Sequence, residues 1–119
     1  MFTFGRVAPA IPVRDMERAI QFFRDVLGFE ISFTNGEPIV FAVINQGSAQ
    51  LHLVVQPSKA GSLHAHIMVD NLDAVHERLV LASATVWQSP MVHEWGLRDL
   101  VVTDPDGNTF EIAEVVRNP

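Results

Sequence analysis

Two histidines, His64 and His66, are the residues of this sequence whose type and spacing most readily suggest chemistry. They lie in the run 62–70, whose alternating polar and apolar residues are typical of a β-strand. Because side chains alternate between the two faces of a strand, both imidazoles share one face with Met68. Such a face is unusual for a buried layer, so its role depends on which other residues point at it.

Two other predicted strands place potential metal-ligating side chains on the same side of the fold as His64 and His66. In the run 49–55 the apolar residues form the face that a helix would cover, which leaves His52 on the other face. In the last predicted strand the apolar residues are again expected under a helix, so Glu111 points inward. Two histidines and a carboxylate suffice for a divalent ion such as Zn, Ni, Fe or Mn, with positions left for water and substrate. The candidate metal ligands are His52, His64 and Glu111, with His66 as a candidate fourth ligand.

A plainer interpretation needs no metal. The histidines would then be hydrogen-bonded residues of a cavity, and Glu111 would pair with Arg98 or with a histidine. The spacing of these residues leaves both interpretations open.

Composition narrows the classes of function. The chain has 119 residues, of which 48% are hydrophobic, so one globular domain with a real core is expected. The absence of cysteine excludes disulfides and thiolate ligands, so any metal must be held by nitrogen and oxygen. A net charge of -6 argues against a nucleic-acid partner. No apolar run reaches the roughly 18 residues of a membrane span and no secretory signal is evident, so we expect a cytoplasmic protein without a membrane partner.

The first half of the chain predicts one helix among four strands. Apolar residues recur at helical spacing from Met16 to Leu27, Asp15 is suited to cap this helix, and Gly28 is placed to end it. Asn35-Gly36 is a hairpin signal between two β-rich runs. The predicted strands are 7–13, 29–34, 38–44 and 49–55.

The second half repeats this order. A helix is predicted from Leu72 to Ala82, capped by Asp70 or Asn71, and 104–107 reads as a turn. The predicted strands are 62–70, 84–88, 95–103 and 108–116, with a loop at 89–94.

Aligning the first half of the sequence with the second half at one constant offset matches Val13 with Val69 and Ala8 with His64. We therefore predict a single domain, 1–119, made of two β-α-β-β-β modules at about 5–56 and 62–116. The fold class is α+β, with an internal pseudo-twofold, curved sheets around a cavity and helices outside.

Several short patterns resemble a known superfamily. They are Val13-Arg14-Asp15 before the first helix, the run 22–29 at its end, the run 69–74, and the run 104–111. Together they resemble the vicinal oxygen chelate superfamily, which includes glyoxalase I, bleomycin-resistance proteins, fosfomycin-resistance enzymes, methylmalonyl-CoA epimerase and extradiol dioxygenases. The resemblance covers nearly the whole chain, and it identifies the superfamily rather than one activity.

The resemblance implies metal ligands at Ala8, His52, His64 and Glu111. Alanine cannot ligate, but His66, on the same face as His64, could compensate. On this hypothesis the chain is a divalent-metal-dependent lyase, isomerase or dioxygenase, and Glu111 or a nearby base moves a proton.

The residues around Pro9, Asp15 and Trp95-Gly96 look closest to the bleomycin-resistance branch of the superfamily. That likeness implies a homodimer, with the first strand exchanged between its subunits, that binds a small or medium-sized organic ligand without turnover. Phe41 is a further groove candidate, although packing in the core is its competing role. The candidate ligand-binding residues are Phe33, Trp87, Met91, Trp95 and Arg98.

Overall fold

A computed structural model describes residues 1–116, so the last residues of the predicted domain, 117–119, lie outside the described part. The first half contains β1 (Ala10–Val13), α1 (Met16–Gln21), β2 (Glu30–Asn35), β3 (Phe41–Gln46) and β4 (Ala49–Val55). The second half contains β5 (His64–Met68), α2 (Leu72–Leu81), β6 (Thr85–Val92), β7 (Leu97–Thr103) and β8 (Thr109–Val115). No helix within 1–116 is long and apolar enough to cross a membrane.

Each half forms one curved four-stranded sheet with the same strand order. The orders are β1-β4-β3-β2 and β5-β8-β7-β6, and the first strand of each half runs parallel to its last. The predicted α+β fold with two β-α-β-β-β modules is thereby confirmed. The two sheets share no strand pairing in the described chain, so they do not close into a barrel.

The strand registers make the internal repeat explicit. Ala10 lies opposite His52 in the β1–β4 pair, and His66 lies opposite Glu111 in the β5–β8 pair. His52 is therefore the first-half equivalent of Glu111, and Ala10 is the equivalent of His66. The same repeat matches Ala8 with His64, as the sequence predicts.

One face of each sheet is buried against helices in a shared core. Leu100, Val102 and Ile112 are buried on the second sheet, and Phe23 from the first half meets Phe110 with ring centroids 5.7 Å apart. Burying such side chains stabilises the fold by roughly 1.5–3 kcal/mol each. The opposite face of each sheet remains open, and the candidate metal ligands His52, His64, His66 and Glu111 lie there.

A buried asparagine joins the two halves. The Oδ1 atom of Asn108 accepts hydrogen bonds from the backbone N–H groups of Gly61 and Leu63. Its Nδ2 donates to the carbonyl oxygen of Pro12 at 2.9 Å and to Asp104 Oδ2 at 2.9 Å. Burial raises the pKa of the Asp104 carboxyl, although hydrogen bonds from Asn108 and Asp106 act in the opposite direction. The turn before β8 is thus fixed to β1.

Charged groups reinforce this junction. The side chain of Asp106 is fully buried, and its Oδ1 accepts from the backbone N–H of Arg14 at 3.1 Å and from Arg18 Nη2 at 3.2 Å. Both guanidinium groups are about half exposed, so they compensate the buried charge while remaining hydrated.

The first helix is shorter than its apolar pattern predicts. The α-helix ends at Gln21, and residues Phe22–Val26 continue as a π-helical turn in which Leu27 N–H reaches the carbonyl oxygen of Phe22. Gly28, at φ 77°, then ends the segment. The predicted caps are confirmed, because Asp15 accepts from Arg18 N–H and Asn71 accepts from Ala74 N–H.

Several strand limits differ from the prediction. β1 begins at Ala10 rather than at residue 7, and β3 begins at Phe41 rather than at residue 38. β6 continues to Val92 through Ser89 and Pro90, which the sequence predicts as a loop. Because β6 is the outer strand and pairs irregularly here, the missing N–H of Pro90 costs little.

Candidate ligand and metal site

The structure brings three of the predicted site residues into one cluster on the open face of the second sheet. The ligand atoms of His64, His66 and Glu111 all lie within 4.8 Å of one another. His64 Nε2 is 3.0 Å from Glu111 Oε1, and His66 Nε2 is 2.9 Å from Glu111 Oε2. The two imidazoles stack with ring centroids 5.9 Å apart. Two nitrogens and a carboxylate form a donor set that fits a divalent ion of the zinc or nickel type.

Local strand geometry explains this cluster. His64 and His66 are two residues apart on β5, so both side chains stand on one face, and Glu111 projects from the adjacent β8. Both histidines are more than half exposed, whereas the glutamate is only 25% exposed. Glu111 therefore pairs with histidines, one of the partners that the sequence leaves open, and not with Arg98.

His52 does not join this cluster within one chain. It lies on β4 of the other sheet, where its Nε2 is 3.2 Å from Gln50 Oε1. Gln50 Nε2 donates to Asn45 Oδ1 at 3.0 Å, and Asn45 Nδ2 donates to Ser32 Oγ at 2.7 Å. The hydroxyl of Ser32 in turn donates to a backbone carbonyl oxygen on β3. A row of hydrogen bonds therefore crosses the open face of the first sheet.

The end of this row fixes its direction. A carbonyl oxygen can only accept, so Ser32 donates to it, Asn45 donates to Ser32, and Gln50 donates to Asn45. The remaining oxygen of Gln50 must then accept from His52. The proton of neutral His52 consequently resides on Nε2, which leaves Nδ1 as its accepting nitrogen.

A groove of about 570 Å³ lies between the two halves of the chain. Gln50 and the β3–β4 turn line one side, His66 and Met68 line another, and Val7 and Pro9 from the N-terminal segment add apolar lining. Its volume is within the range of small-molecule sites. The groove thus brings the polar row of the first sheet near the His64–His66–Glu111 cluster.

The predicted aromatic ligand residues are exposed but divided between the sheets. Phe33 lies on β2 of the first sheet and is 54% exposed, with its ring against Phe41. Trp87 and Met91 lie on β6, the strand of the second sheet farthest from β5, and Trp95 lies in the turn after it. Their exposed fractions are 71%, 49% and 66%. Phe41, between Phe33 and His52, is partly buried.

Arg98 occupies a different environment from the other predicted ligand residues. Its Nη1 donates to Glu114 Oε1 at 2.9 Å, and its Nη2 donates to Asp73 Oδ1 at 2.7 Å. Hydrogen bonds from Asp73 and then from Glu114 raise the pKa of Arg98. Because Glu114 also accepts from the backbone N–H of Leu72, this network ties α2 to the sheet. The structure does not bring Arg98 together with the aromatic residues.

Sequence reasoning overlooked a second polar group on the open face. Asp99 is buried, and its Oδ1 accepts from Gln88 Nε2 and from His93 Nε2, both at 2.7 Å. Asp99 alternates with the buried Leu100 on β7, and an aspartate inside such an apolar strand is a detectable signal. His93, which follows β6, is recognisable only once the turn is folded.

Comparison with known protein families gives a clear assignment. The sequence model of the "Glyoxalase/Bleomycin resistance protein/Dioxygenase superfamily" matches residues 3–112. The chain belongs to this superfamily. The recognition made from the sequence patterns is thereby confirmed. A search of curated proteins found no sequence that matches the chain.

Solved structures show the same fold over almost the whole chain. TnmS3, described as an antibiotic-binding protein from Streptomyces sp. CB03234, is 26% identical, with a TM-score of 0.82 over 97% of this chain and 99% of that chain. TioX from Micromonospora sp. ML1 is 21% identical, with a TM-score of 0.80 over 97% and 99%. A bleomycin-binding protein in complex with bleomycin is 20% identical, with a TM-score of 0.78 over 93% and 98%.

Proposed function

We propose that this protein binds a small or medium-sized organic ligand on the open faces of its sheets and does not convert it. The observation that carries the proposal is the exposure of large apolar side chains beside a polar row and a polar cluster. A folded chain seldom leaves such a surface uncovered unless a ligand or partner covers it. The exposed residues are Phe33, Met68, Trp87, Met91 and Trp95.

Two further observations support ligand binding. TnmS3, the antibiotic-binding relative, is similar over nearly the full length of both chains. The net charge of -6 favours neutral or cationic ligands over anionic ones. Planar ring systems with basic groups fit both the exposed aromatic residues and this charge.

The binding surface is proposed to be completed by a second copy. Within the described part of one chain Phe33 lies on the first sheet and Trp95 lies in the turn after the outer strand of the second, and both side chains are exposed. The N-terminal segment also exposes Phe2, Phe4 and Val7. A homodimer in which the first sheet of one copy faces the second sheet of the other, with or without exchange of β1, would cover these residues.

Binding without turnover is supported by the asymmetry of the internal repeat. The second half has His64 and His66 where the first half has Ala8 and Ala10. The first strand therefore supplies no metal ligand from these positions. This favours a binding protein over a metal enzyme of the same superfamily.

Tryptophan fluorescence tests the proposal, because the only two tryptophans, Trp87 and Trp95, are both exposed candidates. Titration with metal-free bleomycin and with other antibiotics that combine planar rings and basic groups should give a saturable change in emission. The W95F variant should lose most of the change that W87F retains. A flat response to every compound would contradict the proposal.

A second candidate function is supported by the His64–His66–Glu111 cluster. A divalent ion held by these three side chains would act as a Lewis acid toward a ligand with two neighbouring oxygens. Glu111 would then be either a ligand or the group that accepts a proton from the substrate, and His66 would replace the ligand that β1 lacks. His52 could contribute only from another copy or after rearrangement.

Metal analysis separates the two candidates. The protein would be purified without a histidine tag and its content of Zn, Ni, Fe and Mn measured. The metal hypothesis requires either a bound ion or a rise in Tm when one of these ions is added. Whichever effect is seen should be absent in the H64A variant. Neither effect is expected from a metal-independent binding protein.

A further inference from the structure

The turn between β6 and β7 carries an ordered group of side chains. His93 N–H donates to the carbonyl oxygen of Leu97 at 2.7 Å, and Gly96 N–H donates to the carbonyl oxygen of His93 at 3.1 Å. Gly96 has a φ of 88°, which a side chain would disfavour. Trp95 therefore lies in a closed turn rather than in a long loop.

The indole of Trp95 rests on the imidazole of His93. Their ring centroids are 4.4 Å apart and their planes differ by 10°, which is a stacked arrangement. Trp95 is nevertheless 66% exposed, so the face of the indole away from His93 is open. His93 supports the tryptophan from one side only.

His93 is itself anchored by a buried carboxylate. Its Nε2 is 2.7 Å from Asp99 Oδ1, and the exposed fractions of the two side chains are 17% and 9%. Gln88 Nε2 donates to the same Asp99 oxygen. Because a carboxylate only accepts, His93 must carry a proton on Nε2, and its ring orientation is fixed by this bond. Burying a carboxylate without hydrogen-bond partners costs free energy, so the hydrogen bond between His93 and Asp99 is favoured in the folded chain.

The group stands on the same face as the candidate site. Asp99 lies opposite Ala113, and Val101 lies opposite Glu111, in the β7–β8 register. Asp99 and Val101 alternate with residues buried under the helix, so Asp99 shares the open face with Glu111.

We propose that Asp99, acting through His93, holds Trp95 as a fixed stacking surface, and that His93 and Asp99 are positioning residues for ligand binding there. The second part of this statement rests on the proposed ligand binding, whereas the first concerns the free protein. An exposed indole without support changes rotamer freely. Ordering it on binding weakens affinity by up to about ten-fold, a loss that a fixed indole avoids.

A single-tryptophan background allows a direct test in the whole protein. The W87F variant leaves Trp95 as the only indole, so its fluorescence anisotropy and its quenching by acrylamide report on that side chain alone. H93A and D99A would be added to W87F. D99N would serve as the conservative control, because it keeps an oxygen that accepts from His93. Circular dichroism and urea midpoints would identify any variant that fails to fold, in which case the other variant is decisive.

We expect high anisotropy in W87F, and a fall in anisotropy with an approximately two-fold rise in the acrylamide quenching constant in both H93A and D99A. D99N should retain most of the W87F behaviour. Unchanged anisotropy in H93A and D99A would overturn the proposal, and so would a D99N variant as mobile as D99A.

Ligand binding is measured separately with metal-free bleomycin as the probe. If W87F binds it, H93A and D99A should raise Kd by about three- to ten-fold, and an unchanged Kd would overturn the positioning role. If neither W87F nor the wild-type protein binds any compound of the tested class, the proposed function fails. The anisotropy and quenching experiments still decide whether Asp99 and His93 hold Trp95.

Discussion

His66 and Glu111 lie directly opposite each other on the parallel strands β5 and β8, with 2.9 Å between Nε2 and Oε2. The equivalent pair in the first half of the chain is Ala10 and His52. The second half of the internal repeat thus carries three side chains that could hold a metal ion, while the first half has an alanine and a hydrogen-bonded histidine at the equivalent pair.

This asymmetry predicts which histidines would matter for a metal ion. If the protein binds Zn²⁺ or Ni²⁺, H66A and E111Q should weaken binding by at least the roughly 10–100-fold that loss of an outer-shell partner causes. H52A is the matched control on the other sheet and should leave binding unchanged. The measurement is calorimetric titration of protein treated with a chelator. Equal losses in H52A and H66A would indicate a site completed by a second copy and would contradict the cluster within one chain.

The junction between the halves predicts a large effect of a single buried substitution. N108A removes both hydrogen-bonding atoms of the side chain and leaves the N–H groups of Gly61 and Leu63 without this acceptor. We expect a loss of about 2–4 kcal/mol in the free energy of unfolding, because each buried unsatisfied group costs about 1–3 kcal/mol. N45A, which breaks two hydrogen bonds on the solvent-facing side of the first sheet, should cost less, about 1 kcal/mol. Urea unfolding of both variants tests this, and equal losses would contradict it.

The raised pKa of Asp104 predicts a particular dependence of stability on pH. Its carboxyl loses its proton near pH 3.8 in the unfolded chain and at a higher pH in the folded protein. The unfolded state therefore binds fewer protons in the window between these two pKa values, and the contribution of Asp104 to stability falls as pH rises through it.

The D104N variant provides the reference, because it shares every other titrating group. The free energy of unfolding of the wild-type protein minus that of D104N should decrease as pH rises from below 3.8 toward neutrality. Denaturant titrations at a series of pH values give this difference. A difference that rises with pH would show that hydrogen bonds, rather than burial, dominate the environment of Asp104.

The contacts of Arg98 predict that replacing it lowers the stability of the fold but leaves ligand binding unchanged. R98Q breaks the contacts with Asp73 and Glu114 that tie α2 to β7 and β8. We expect a loss of about 1 kcal/mol in the free energy of unfolding, as for partly exposed ion pairs. The change in tryptophan emission on ligand addition should persist in R98Q, although the resemblance to the superfamily predicts that Arg98 contacts the ligand. Loss of the emission change in a folded R98Q variant would indicate that Arg98 takes part in ligand binding.

The sequence predicts the fold well because two signals agree. Strand alternation assigns Leu51, Leu53, Phe110 and Ile112 to the helix side, and the same alternation places Glu111 on the open side. Local side-chain caps at Asp15 and at the start of α2 mark the helix beginnings. Each of these features depends only on near neighbours in the chain.

The features that the sequence misses depend on distant partners. The extension of β6 past Pro90 follows from its position at the outer edge of the sheet, which the local pattern does not reveal. The role of Arg98 depends on Asp73 and on a cross-strand partner, and that of His93 depends on the fold of a turn. Whether His52 and His64 can belong to one metal site depends on how the two sheets face each other. The assignment of side chains to strand faces does not determine the relative placement of the sheets.

The most direct test of ligand binding without turnover is calorimetric titration of chelator-treated protein with metal-free bleomycin and related antibiotics, followed by mass spectrometry of the recovered compound. We expect saturable binding of at least one compound without any added metal, and recovery of that compound with its mass unchanged. Binding that requires a divalent ion, or recovery of a chemically altered compound, would contradict the proposal and favour a metal enzyme.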